Sequence, residues 1–210
     1  MIQIDEICLK GVGLSKSFYR GSPLFTDLSF SANGGDALGI SGVNGSGKST
    51  LLCIMAGLLG SSAGKIEFEI ENNIIKKSEL QSHYGFSAPY LGLYEEFNIE
   101  EHAQIYADLK DFSLDKNYLD SLLEDSSLSS SRKKLIGNYS SGMKQRAKLI
   151  FSVLSRPKIL FLDEPTSNLD DSGKSFVEKL IEKQISESGI VVIASNERAE
   201  LKLCNKTIKI

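Results

Sequence analysis

The sequence predicts an α/β fold, a parallel-sheet core of about residues 1–81 and 158–210 that carries an inserted, mainly helical subdomain of about 82–157. Three observations predict it. Strand and helix patterns alternate at both ends of the chain, a glycine-rich loop stands between a strand and a helix pattern, and the middle of the chain carries helix start signals.

Taken in order, residues 27–41 read as two short strands, Leu28–Ala32 and Asp36–Ser41, around the turn signal Asn33-Gly34-Gly35, which predicts a hairpin. From Lys48 the pattern changes: Leu51, Leu52, Ile54, Met55 and Leu58 have the spacing of a buried helix that ends near Gly57 or Gly60. Lys65–Ile70 alternate like a strand. Asn98 is placed to cap a helix running to about Leu109, with Glu101, its third residue, pointing back at the cap. A second helix, Asp115–Glu124, stops in the serine-rich stretch 126–131, and a third runs from about Ser141 to Leu154. Strand signals return at Lys158–Leu162. A helix with Phe176, Val177, Leu180, Ile181 and Ile185 on one face follows, and then the buried-strand run Ile190–Ala194. The chain shows no internal repeat.

Composition narrows the class. A chain of 210 residues with 41% hydrophobic and 24% charged residues, 18 Gly and 4 Pro suits one ordinary globular body. A net charge of -3 provides no global basic field, so no nucleic-acid partner is expected. Phosphates of a small ligand can still be neutralised locally by a few amides, one Lys and a metal ion. Cys8, Cys53 and Cys204 are odd in number and lack CxxC spacing, which argues against a disulfide framework or a zinc site and fits a reducing cytosol. Met1–Lys10 carries Asp5 and Glu6 where a signal peptide would be basic. No apolar run approaches the ~18 residues of a membrane span, so any spans would come from other chains.

The segment Gly42-Val43-Asn44-Gly45-Ser46-Gly47-Lys48-Ser49 matches G-x-x-x-x-G-K-[ST] in its required strand-to-helix context. Glycines let successive N–H groups point inward, and the following helix adds its partly positive end, so polyphosphate is the matching ligand. Lys48 is placed for the β and γ phosphates and Ser49 for Mg²⁺, with Thr50 opening the helix behind them. Further on, Ile159-Leu160-Phe161-Leu162-Asp163-Glu164-Pro165 is an apolar strand that delivers two carboxylates at its C-terminal end. Asp163 is placed for the metal and Glu164 to orient or deprotonate an attacking water.

Between these motifs lies Tyr139-Ser140-Ser141-Gly142-Met143-Lys144-Gln145-Arg146. It resembles the signature of ATP-binding cassette proteins, usually Leu-Ser-Gly-Gly-Gln, with Ser140 and Gly142 retained. The resemblance spans nearly the whole chain and implies a P-loop NTPase, RecA-like core with an N-terminal antiparallel β region and an inserted helical subdomain. It implies ATP and Mg²⁺ as cofactors, with Gly42, Asn44, Gly45, Ser46, Gly47, Lys48, Ser49 and Thr50 around the phosphates. It also implies a head-to-tail homodimer or cassette heterodimer, in which Ser140 and Gly142 of one subunit face the nucleotide of the other. Ser167-Asn168-Leu169-Asp170 resembles the family's D-loop, which places Asp170 at the same nucleotide. Phe18, with Tyr19 as the alternative, falls where the family stacks an aromatic on adenine. The implied role is the ATP-hydrolysing subunit of a transporter, at the cytoplasmic inner face of the cell membrane. Integral membrane permease subunits would then be received around Pro89–Phe97. The short exporter-type cassettes, including those of haem export in cytochrome c maturation, are similar in size.

Two positions depart from the family pattern. Pro89 stands where a Gln is usual after Gly85-Phe86-Ser87-Ala88, and proline has no side-chain donor or acceptor. Ser195-Asn196-Glu197 replaces Thr-His-Asp. Asn196, the remaining catalytic candidate, can donate a hydrogen bond to a γ-phosphate but cannot become cationic, so slow turnover is expected. His83 and His102 are expected in packing or surface roles, and Arg132-Lys133-Lys134 as a solvated run. Slow turnover also suits a soluble regulatory cassette that uses ATP as a dimerisation switch. A P-loop kinase would use Lys48 and Asp163 but leaves Ser140–Gln145 without a role.

Overall fold

A computed structural model describes residues 6–19, 22–76 and 78–210; the reading of Asp5 lies outside them. In chain order the elements are β1 (Ile7–Tyr19), β2 (Ser22–Asn33), β3 (Ala37–Ser41), α1 (Lys48–Met55), β4 (Ala63–Ile70), β5 (Asn73–Ile74), β6 (Tyr84–Ser87), α2 (Ile99–Leu109), α3 (Lys116–Asp125), α4 (Ser141–Val153), β7 (Ile159–Asp163), α5 (Asp171–Ser186), β8 (Ile190–Ala194), α6 (Arg198–Leu201) and β9 (Lys206–Lys209). They build a four-stranded antiparallel sheet, β2-β1-β4-β5, and a five-stranded parallel sheet, β6-β7-β8-β3-β9.

The expected hairpin does not form. Asn33-Gly34-Gly35 does turn the chain, with Asp36 N donating to Asn33 O at 2.9 Å, but the turn passes from one sheet to the other. β2 runs antiparallel to β1 from Cys8↔Asn33 to Tyr19↔Ser22, whereas β3 lies parallel between β8 and β9. The physical reason is burial. Every residue from Ala37 to Ile40 is buried, as a strand covered on both faces requires, while β2 is largely exposed or half-buried.

β7 and β8 are buried throughout, and their alternation sorts the core onto two faces. Leu160, Leu162, Val191 and Ile193 pack with Leu149 and Ile150 of α4 and Phe176 and Val177 of α5. Ile159, Phe161, Ile190 and Val192 pack with Leu51, Leu52 and Met55 of α1 and with Leu9 and Leu14 of β1. α1 ends before Leu58, which is 53% exposed, so the last member of the expected apolar stripe falls outside the helix. α2 and α3 continue the first face into the inserted helical subdomain through Ile99, Ala103, Leu119 and Leu122.

The expected cap of α2 is present. Asn98 Oδ1 accepts from Glu100 N at 3.0 Å and Glu101 N at 3.1 Å, and Glu101 Oε2 accepts from Asn98 N at 2.9 Å. Asp115 caps α3 through Tyr118 N at 3.1 Å. Within the stretch read as mainly helical, β6 is a strand at the edge of the parallel sheet, paired to β7 from Tyr84↔Ile159 to Ser87↔Leu162. Gly85 permits this, because a Cβ there would lie 1.6 Å from the Ser152 carbonyl oxygen of α4. Among the described residues no helix is long and apolar enough to cross a membrane.

Candidate functional site

The glycine loop joins β3 to α1 at the C-terminal end of the parallel sheet, where adjacent strands also deliver Asp163 and Ser195. Gly47, at φ 105, is the N-cap of α1. The helix therefore begins with no side-chain cap and no acidic residue in its first turn, which leaves its first N–H groups to an anion. Lys48 is 6% exposed and folds back over the loop, donating from Nζ to Gly42 O at 3.0 Å and Val43 O at 3.1 Å.

Asp163 closes β7 with 3% of its surface exposed. Burial pushes its carboxyl above the usual carboxylate range, and the neighbouring Glu164 charge pushes it further, while a hydrogen bond with Ser49 opposes the rise. A buried carboxylate beside a hydroxyl is a hard oxygen donor set that suits a divalent cation such as Mg²⁺. Glu164 turns the chain out of β7 in the left-handed region, at φ 43, with its N–H donating to Ala194 O at 2.9 Å. Phe18, Lys48, Ser49, Thr50 and Glu164 wall one cleft of about 400 Å³ with the loop residues Asn44, Gly45 and Gly47. Phe18 is 58% exposed at the cleft's edge and carries Lys16 Nζ 4.8 Å from its ring centroid. Tyr19 does not line the cleft.

Asn196 reaches the loop directly, Nδ2 donating to Asn44 Oδ1 at 2.8 Å. Ser140, Gly142 and Asp170 do not line the cleft. Ser140 caps α4, its Oγ accepting from Met143 N at 3.3 Å, and remains exposed. Buried Tyr139 anchors it from behind by donating to Ser131 O at 2.9 Å. A Cβ added at Gly142 would stand 3.0 Å from Asn168 O, so the signature abuts the D-loop-like segment. The Asp170 carboxylate is engaged within the chain. It caps α5 by accepting from Gly173 N at 2.8 Å and pairs with Arg146, and these contacts hold its carboxyl below the usual range.

Around Pro89 the backbone does what a side chain cannot. Lys148 of α4 donates to Pro89 O at 2.6 Å, and Tyr90 Oη lies 3.5 Å from Cys53 Sγ of α1. His102 packs as expected, stacked on Phe151 at 4.5 Å with Nε2 accepting from Tyr94 N at 3.3 Å. Arg132 and Lys133 are not simply solvated: both pair with Glu100, and Arg132 also reaches Asp120 at 2.8 Å.

Two residues at this site escaped the sequence reading. Gln145 Nε2 donates to Pro165 O at 3.3 Å, and Glu200 accepts from Thr166 N at 2.8 Å. Gln145 lies within the signature stretch but outside its five core positions. Glu200 sits on a helix of four residues, too short for any periodicity to mark an inward face.

A family model described as ABC transporter matches residues 25–167. The bacitracin transport ATP-binding protein BcrA of Bacillus licheniformis is 33% identical over 189 residues, covering 90% of this chain and 61% of that protein. The cytochrome c biogenesis ATP-binding export protein CcmA of Pseudomonas aeruginosa is 31% identical over 179 residues, covering 85% of this chain and 88% of that protein. The chain thus spans well under two thirds of some relatives, and 23% of ABC transporter A family member 1 of Dictyostelium discoideum. Among solved structures, the ATP-binding subunit of an ABC transporter superposes with a TM-score of 0.84 at 24% identity, over 96% of this chain and 85% of that one. A putative ABC transporter ATP-binding protein from Pyrococcus furiosus superposes with a TM-score of 0.82 at 25% identity, over 96% of each chain.

Proposed function

The chain belongs to the ABC transporter family, and from that premise we propose that it binds Mg-ATP and hydrolyses it to drive a membrane transporter. The observation that carries this reading is the cleft in which Lys48, Ser49 and Glu164 share walls with the glycine loop, with Asp163 hydrogen-bonded to Ser49 behind them.

The loop amides and the start of α1 bind the triphosphate, and Lys48 exchanges its two loop carbonyls for phosphate oxygens. Ser49 and Asp163 would hold Mg²⁺, which would supply neutralisation of phosphate charge. Glu164 orients the attacking water and accepts its proton. Phe18 offers a ring face to the base. Asn196, through Asn44, ties the segment after β8 to the phosphate loop.

Ser140 and Gly142 lie off this cleft and face a second copy or a related cassette, so nucleotide closes a head-to-tail dimer. With the Asp170 carboxylate engaged by Arg146, contacts from that segment to the second nucleotide fall to Ser167 and Asn168. Integral membrane permease subunits dock around Pro89–Phe97, where Tyr90 and Tyr94 are 60% and 62% exposed. The chain then works at the cytoplasmic inner face of the cell membrane.

The test is size analysis of Glu164→Gln with and without Mg-ATP, where slowed hydrolysis should hold a dimer. A chain that binds nucleotide yet stays monomeric overturns the sandwich, and one that binds none overturns the reading. Pro89 and Asn196 favour a second reading, a soluble cassette that uses ATP as a dimerisation switch. Copurification with an integral membrane protein that stimulates phosphate release decides against it.

A further inference from the structure

The turn that presents Glu164 is not a relaxed one. Glu164 and Asn168 both occupy the left-handed region, at φ 43 and φ 61, which residues other than glycine adopt at a cost. Inside the turn, Ser167 N donates to Glu164 O and Leu169 N to Thr166 O, each at 3.1 Å. Two side chains from outside grip it. Gln145 holds Pro165 O from the α4 side, and from α6 a single oxygen of Glu200, Oε1, accepts both Thr166 N at 2.8 Å and Thr166 Oγ1.

Glu200 is only 3% exposed, and its second oxygen, Oε2, is buried without a partner among the described residues. Burying a carboxylate is expensive unless its hydrogen bonds offset the loss of water, and here both bonds go to one residue of this turn. Glu164, Thr166, Asn196 and Glu200 also wall one cavity of about 420 Å³. α6 follows directly on Asn196-Glu197, and Asn196 is bonded to Asn44 of the glycine loop.

We propose that Glu200 is a positioning residue for hydrolysis, clamping Thr166 so that the Glu164 turn stays in register with the segment 195–197 and, through it, with the phosphate loop. Its role is to hold the turn rather than to act on the reacting atoms. The inference rests on the hydrolytic reading above.

The experiment is steady-state phosphate release, with kcat normalised to nucleotide-binding sites and KM for ATP determined separately. Thr166→Val keeps the side-chain volume and the backbone bond but loses the hydroxyl bond; kcat should fall about fivefold, the worth of one hydrogen bond, with KM unchanged. Glu200→Ala frees the turn, and a general base displaced by ~1 Å should lose about 100-fold in kcat. Glu200→Gln keeps the Oε1 acceptor and should recover most of that loss. Thr166→Val added to Glu200→Ala should cost nothing further. A merely structural role lowers the number of binding sites and the melting temperature but not kcat per site. If Glu200→Ala does not fold, Thr166→Val decides, a wild-type kcat per site there overturning the inference. Wild-type kcat per site in Thr166→Val and Glu200→Ala, or a raised KM with kcat unchanged, overturns the inference alone. A wild-type chain that binds ATP but releases no phosphate overturns the hydrolytic reading, and the inference with it.

Discussion

Replacing Asn196 by Ala removes one defined interaction, the donation from Nδ2 to Asn44 Oδ1 at 2.8 Å. Both side chains are exposed, so water competes for each group and the bond is worth its net value of about 0.5–1.5 kcal/mol, with no penalty for a buried orphan. If the contact persists while the water attacks, that range corresponds to a loss of roughly 2- to 12-fold in kcat. The assay is steady-state phosphate release at saturating Mg-ATP. pH adds a second axis, because an amide does not titrate. Asn196→His should introduce a limb near the ordinary imidazole value of about 6.5 that the native chain lacks. An unchanged rate in Asn196→Ala refutes the reasoning and removes Asn196 from the mechanism.

Two further outcomes concern stability. Burial holds the imidazoles of His102 and His83 below the ordinary 6.5, so the folded state resists protonation. The stability they contribute is present above 6.5 and is lost as pH falls from there through the lowered folded values. His102→Gln, which retains an acceptor for Tyr94 N, should flatten that slope in denaturant unfolding followed from neutral to acid pH; an unaltered slope refutes it. Gly85→Ala sets a Cβ 1.6 Å from the Ser152 carbonyl oxygen, a backbone atom that cannot swing away. β6 and α4 must separate, at an expected cost of about 3 kcal/mol or more, read as a lower denaturation midpoint. A midpoint within ~0.5 kcal/mol of native, the range of an ordinary surface change, refutes the packing argument.

What is close along the chain is legible from the sequence because covalent spacing decides it. Asn98 and Glu101 are three residues apart, so their reciprocal cap follows from one turn of helix. The glycines, Lys48 and Ser49 are contiguous, so loop and helix start arrive together, and Asp163 and Glu164 ride on a strand whose apolar run shows that both its faces are buried. The sequence by itself therefore determined the α/β class, the glycine loop at the start of α1 and the carboxylate pair at the end of β7.

Pairings between distant residues depend on which surfaces meet, and no local period encodes that. The turn at Asn33-Gly34-Gly35 is the same whether the next strand folds back on β2 or crosses to another sheet; β3, buried from Ala37 to Ile40 and slotted between β8 and β9, settled it. Only the tertiary structure brought Asn196 to Asn44 across 152 residues, drew the Asp170 carboxylate to Arg146, and sank Glu200 against Thr166. Each of these bonds joins groups delivered by separate segments, and their meeting follows from sheet order and helix packing rather than from spacing along the chain.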